Sequence, residues 1–101
     1  MAYKIIERKV LTGRAREVGN IRHWLDNTRV ARARIKETNL CIGTRIFLLK
    51  ETSSYCCFAK IESIRINEIP KDEVEITEEQ DVHLQLDIFD AKKGLSLYVV
   101  E

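Results

Sequence analysis

The stretch from about Leu40 to Asn67 constrains this chain most, because its pattern reads as one long hairpin. Leu40-Cys41-Ile42-Gly43-Thr44 opens it, and Arg45-Ile46-Phe47-Leu48-Leu49 forms its first strand. Glu51-Thr52-Ser53-Ser54 turns the chain, and Tyr55 to Asn67 returns as a second, longer strand. The run Phe47-Leu48-Leu49 has no polar face, so its strand is covered on both sides. In the return strand Cys57, Ala59 and Ile61 keep one phase, and Ile64 and Ile66 take the other. The polar pair Glu62-Ser63 marks the slip, which reads as a β-bulge. A bulge bends a long strand, and bent strands let a small sheet close into a barrel. Pairing Lys50 with Tyr55 sets Cys41 near Ile64, which excludes a Cys41–Cys56 disulfide.

The other segments are expected to pack around that hairpin. Tyr3 to Leu11 reads as a strand ended by Thr12-Gly13. Arg14 to Asp26 reads as a helix, since Ala15, Val18, Ile21, Trp24 and Leu25 recur at three- and four-residue spacing. Gly19 inside it costs about 1 kcal/mol of helix propensity relative to Ala, so packing must hold the helix. Trp24 reads as its core anchor. Arg29 to Lys36 alternates as a strand, with Ala31, Ala33 and Ile35 inward and Arg32, Arg34 and Lys36 outward. The small inward residues call for a bulky neighbour, for which Trp24 is the candidate. Thr38-Asn39 turns the chain into the hairpin. Pro70 to Asp81 reads as an acidic, solvated connector with one or two helical turns around Val74. Val82 to Phe89 and Leu95 to Val100 alternate as strands and read as a second hairpin turned by Asp90-Ala91-Lys92-Lys93-Gly94. The expectation is a single α+β domain over residues 1–101: a small, mostly antiparallel, bulged barrel of about six strands with one main N-terminal helix packed on it.

Charge gives the first functional pointer. Formal net charge is only +1, yet residues 1–50 carry +8 and residues 51–101 carry −7. Such asymmetry suggests a basic face for a polyanion, or two halves that neutralise each other in one sheet. Charged residues make up 33% of the chain against six Asn and Gln, a balance that leans towards a thermophilic source. No apolar run is long enough to span a bilayer. The charged start, Met1 to Arg8, does not suit a signal peptide, so a cytoplasmic location is expected.

Catalytic signatures are absent from the sequence. It contains no glycine-rich phosphate loop, nucleophile elbow or histidine pair at metal spacing. His23 and His83 stand alone, and Cys41, Cys56 and Cys57 form neither a disulfide framework nor a zinc motif. Adjacent Cys56 and Cys57 point to opposite faces of a strand. The acidic run 72–81 lacks the spacing and central glycine of an EF-hand. No catalytic residue, metal ligand or cofactor is therefore expected.

The order strand, helix, basic strand, then a hairpin opened by an apolar-Gly-polar step resembles the PUA-like barrels, including the ASCH and EVE groups. The resemblance is carried by Leu40-Cys41-Ile42-Gly43-Thr44-Arg45-Ile46-Phe47-Leu48-Leu49 and by Cys57-Phe58-Ala59-Lys60-Ile61-Glu62-Ser63-Ile64. Val10-Leu11-Thr12-Gly13-Arg14 is similar to the ASCH "Ile-Leu-x-Gly-x-Lys-Thr" segment, and the likeness spans roughly residues 10–67. Ala15 stands where that pattern has its lysine, Arg16 where it has threonine, and Thr44 where the barrel step has aspartate. A catalytic member of that group would need the missing lysine. The resemblance implies binding of RNA or a modified nucleobase beside the helix and the basic strand.

The first functional expectation is thus a small nucleic-acid-binding domain, for RNA more than DNA. Arg29, Arg32, Arg34 and Lys36 would contact phosphates, and Arg14, Arg16, Arg22 and Arg45 would extend the surface. The alternative is a protein-interaction module or complex subunit, perhaps a homodimer, that self-associates through its basic and acidic halves. A hydrolase acting on a nucleoside-like ligand in a barrel-mouth pocket is third.

Overall fold

The computed structural model describes residues 15–50 and 55–100. The expected strand Tyr3–Leu11, the turn Glu51–Ser54 and Arg14 lie outside the described residues. Within them the protein forms nine strands: β1 (Ala15–Leu25), β2 (Val30–Ile35), β3 (Thr38–Cys41), β4 (Arg45–Lys50), β5 (Tyr55–Ile66), β6 (Ile69–Lys71), β7 (Glu73–Ile76), β8 (Gln80–Leu86) and β9 (Ser96–Val100). Six of them run in the order β4-β9-β1-β2-β8-β5, and β5 pairs back to β4, so the sheet closes into an antiparallel barrel. β6 adds to β5 at one margin, and β3 and β7 form a separate two-stranded sheet. β5 and β6 are joined by the two-residue turn Asn67-Glu68, both at positive φ, as a tight hairpin requires.

The central hairpin has the expected register. Lys50 pairs with Tyr55 and Arg45 with Lys60. The slip also lies where the polar pair placed it, since the β5–β8 register shifts between Ile61 and Ser63. Ala59 and Ile61 face the barrel interior before the bulge, and Ile64 after it. Phe47 and Leu49 are buried although they face away from Ile46 and Leu48, in a second cluster with Ala15, Cys56, Tyr98 and Val100. β4 is thus covered on both faces.

Of the expected helix Arg14–Asp26, the described residues 15–26 are not helical; Ala15–Leu25 is β1. Its register shifts once against β9, between Glu17 and Gly19, and once against β2, between Ile21 and His23. Each shift inserts an extra residue, so the inward positions Val18, Ile21 and Trp24 recur every three residues instead of every two. A doubly bulged strand therefore imitates the helical period. Gly19 has a reason of its own. A Cβ there would overlap the Arg34 carbonyl and come within 3.0 Å of Ile35 Cδ1, so only glycine lets β1 and β2 approach.

Three further expectations need correction. Val82–Phe89 and Leu95–Val100 do not pair as a hairpin. β8 lies between β2 and β5, whereas β9 lies between β1 and β4. The loop between them crosses one end of the barrel, and Ile21 N–H to Leu95 O (2.8 Å) and Gly94 N–H to Ile21 O (2.7 Å) attach it to β1. Alternation identifies strands but not partners. The acidic connector has no helical turn; it supplies β6 and β7. Thr38-Asn39 does not turn but starts β3, where Cys41 pairs with Glu73. All three cysteines are free.

The barrel interior is filled by side chains, among them Ile21, Ile35, Ile46, Leu48, Ile61, Ile64, Leu84, Leu86 and Leu97. Trp24 packs on this core, opposite Ala31 in the β1–β2 register. The bulky partner expected over the small β2 residues is thus present, on a strand. No helix among the described residues is long and apolar enough to cross a membrane.

Candidate nucleic-acid interface

Alternation in β2 turns Ala31, Ala33 and Ile35 into the core and leaves Arg32 and Arg34 on the outside of the barrel. The neighbouring strand decides what those cations meet. β8 is antiparallel to β2 and sets Asp81 opposite Arg34 and His83 opposite Arg32. Arg34 Nη1 donates to Asp81 Oδ1 at 3.3 Å, and its Nε lies 3.4 Å from Glu79 Oε2. The Asp81 hydrogen bond, with help from Glu79, holds the Arg34 guanidinium more firmly charged than usual. Arg32 Nη2 reaches the other oxygen of the same carboxylate at 3.7 Å. One aspartate therefore serves two arginines.

The remaining predicted residues are spread around the barrel. Arg29 sits in the β1–β2 turn at φ 57°. Its Nη1 donates to Glu62 Oε1 (2.8 Å) and to the Leu86 carbonyl (3.3 Å), with the guanidinium 5.4 Å from the Phe89 ring centre. It ties the turn to β5 and β8. Lys36 Nζ lies 4.0 Å from Glu17, and Arg16 Nη2 donates to Thr38 Oγ1 at 3.0 Å. Arg22 is exposed at the second β1 bulge. Arg45 is on β4, two strands from β1, with its guanidinium 5.9 Å from the Phe58 ring. The structure brings Arg32 and Arg34 together and sets Arg16 and Arg45 apart from them. The exposed ion pairs carry little energy each, about 0–1 kcal/mol, so they hold the arginines loosely.

Three residues that the sequence reading did not assign lie beside Arg32. In successive registers His23 pairs with Arg32, Arg32 with His83, and His83 with Arg65. Arg65 faces outward because the Glu62 bulge has already reversed the phase of β5. The signal was in the sequence as that slip, but the strand order needed to use it was not.

Elsewhere the chemistry is structural. Tyr55 Oη bonds the Asp90 carbonyl at 3.0 Å and lies 3.4 Å from Cys57 Sγ. Burial first, then the Cys57 contact, pushes the Tyr55 hydroxyl up. Burial likewise pushes the Cys57 thiol up, against a smaller opposing effect of the Tyr55 hydrogen bond, which makes it a poor thiolate. Among the described residues no group of three or more His, Cys, Asp and Glu side chains could hold a metal ion.

No protein-family model and no curated protein matches the chain. Its fold has close counterparts among solved structures. It resembles the C-terminal domain of a Geobacillus thermoleovorans protein assigned to the U32 peptidases, with TM-score 0.66 and 13% identity over 84% of this chain and 91% of that one. The selenomethionine variant of that domain gives 0.65 and 12%, over 83% and 98%. The likeness is one of fold. It supports the small antiparallel barrel expected from the sequence.

Proposed function

We propose that this barrel binds nucleic acid, RNA in preference to DNA, through the outer face of β2 and the strands beside it. One observation carries the reading: the basic side of β2 lies outside the closed barrel, with the Arg32 side chain 56% exposed and only a shared, 3.7 Å carboxylate beside it. A polyanion that displaces Asp81 from Arg32 breaks an exposed ion pair of small energy and gains counterion release. The preference for RNA rests on the ASCH- and EVE-like residues of the 40–67 hairpin and not on a base-reading motif. Of the proposed contacts, Arg22, Arg32 and Arg34 lie on or next to this face, while Arg16 and Arg45 would extend it around the barrel.

The test is binding of labelled single-stranded RNA and of duplex DNA, titrated with salt. Affinity at low salt that falls steeply as salt rises is the expected result. No binding at low salt, or binding indifferent to salt, refutes the proposal.

A self-associating protein module is the second reading, favoured by the opposite charge of the chain's two halves. It ranks lower because β2 and β8 already match basic to acidic residues within one chain, at Arg34, Asp81 and Glu79. Light scattering at two salt concentrations separates the two, since a monomer at both leaves that module without its partner.

A further inference from the structure

Antiparallel strands stabilise one another when opposite charges face across them, and like charges directly opposite cost stability. Two neighbouring rows on this barrel treat that rule differently. The row through Asn20, Arg34 and Asp81 obeys it, with Arg34 bonded to its carboxylate. The adjacent row runs His23, Arg32, His83, Arg65 through β1, β2, β8 and β5 without a single carboxylate. Past Arg65 the edge strand β6 sets Pro70 opposite it, again without an acid.

All four side chains belong to the outer face. Their flanking partners, Ala31 and Ala33 beside Arg32, Val82 and Leu84 beside His83, and Ile64 beside Arg65, fill the core. Two bulges produce the alignment. The shift between Ile21 and His23 brings His23 opposite Arg32, and the one between Ile61 and Ser63 brings Arg65 outward opposite His83. Without the second bulge Arg65 would fall in the phase of Ala59 and Ile61 and point into the barrel. The flanking carboxylates are shared or engaged: Asp81 pairs with Arg34 at 3.3 Å and more distantly with Arg32 at 3.7 Å, Glu79 pairs with Arg34, and Glu62 with Arg29.

We infer that the His23–Arg32–His83–Arg65 row is the binding track of the proposed nucleic-acid surface, taking the phosphodiester backbone of a single strand laid across β1, β2, β8 and β5. This rests on the nucleic-acid reading above and gives it a place. Strands about 4.8 Å apart make the row about 14 Å long, enough for a short run of backbone phosphates. The guanidiniums of Arg32 and Arg65 supply paired donors for phosphate oxygens, and the two imidazoles add N–H donors between and beside them. Within the row the one ion pair is the long, shared contact of Arg32 with Asp81, so a bound polyanion meets guanidiniums that are only weakly paired.

The experiment is fluorescence anisotropy with a fluorescein-labelled oligouridylate over a range of salt, on the full chain and on Arg65→Gln, His83→Gln and Arg45→Gln. Arg65→Gln is expected to weaken binding several-fold and to make the log K against log salt slope shallower by about 0.7, the value for one lost phosphate contact on a single strand. His83→Gln should weaken binding less, and Arg45→Gln, off the row, least. Thermal melts of Arg65→Gln should match those of the parent, because Arg65 is exposed and faces no carboxylate across β8 or β6. Binding that is intact in Arg65→Gln and His83→Gln overturns the track and leaves the nucleic-acid reading standing. A parent chain that binds no oligouridylate at low salt overturns both. A lower melting temperature for Arg65→Gln makes Arg65 a structural residue and overturns the track as well.

Discussion

At the scale of single residues, the barrel depends on positions that look unremarkable in the sequence. Gly19 read there as a weakness in a helix, yet it is what allows β1 to lie against the Arg34 carbonyl. Gly19→Ala should therefore lower stability by about 1–3 kcal/mol, as overpacking does, seen as a reduced denaturant midpoint with unchanged slope. The Cys57 thiol makes a second prediction. Its burial holds the proton on, so at pH 8 alkylation by iodoacetamide should modify exposed Cys41 well before Cys57, as followed by peptide mass spectrometry. The sign for stability follows from the same shift. The native state favours the neutral thiol, so this contribution is complete below the ordinary thiol pKa of about 8.5 and is lost as pH rises towards the higher native value.

At the scale of elements, bulges govern both the fold and the proposed site. The Glu62 slip was legible in the sequence because β5 keeps a strict two-residue period on either side of it. The two β1 slips were not legible, because they lie so close together that they merge into a three-residue period. The difference is testable in β5. Inserting one alanine after Glu62 should turn Ile64 and Ile66 outward and Arg65 inward, and so abolish cooperative thermal unfolding by circular dichroism. Replacing it, as in Glu62→Ala, should leave the barrel folded and lose only the exposed pair with Arg29. An insertion variant that melts like the parent would mean that the register is not fixed by the bulge.

At the scale of the whole molecule, closure is the main stabilising event. β9 fills the gap between β1 and β4 and buries Leu97 on the inside, with Tyr98 and Val100 against the outer apolar cluster. Removing residues 95–101 would leave two long strand edges unpaired, and such edges promote aggregation. The truncated chain should elute from size exclusion as aggregate, whereas the full chain elutes as a discrete species. Closure also brings part of the two charged halves together. Basic β2 lies beside β8, where Arg34 meets Asp81 and Glu79. In the next row Arg32 has a weaker share of the same Asp81 carboxylate, at 3.7 Å.

Sequence alone determined the strands that keep a clean two-residue period, β2, β5 with its bulge, and β8, together with the wholly apolar run of β4. It also determined that the outward side of β2 is basic, because alternation is a local property of the backbone and needs no partner. Strand order was decided only by the tertiary structure. The placement of β9 beside β1 and β4, the strand form of residues 15–25 and the alignment of His23, Arg32, His83 and Arg65 all depend on which chains lie 4.8 Å apart. That spacing is a long-range outcome of closing the barrel, and no local pattern records it.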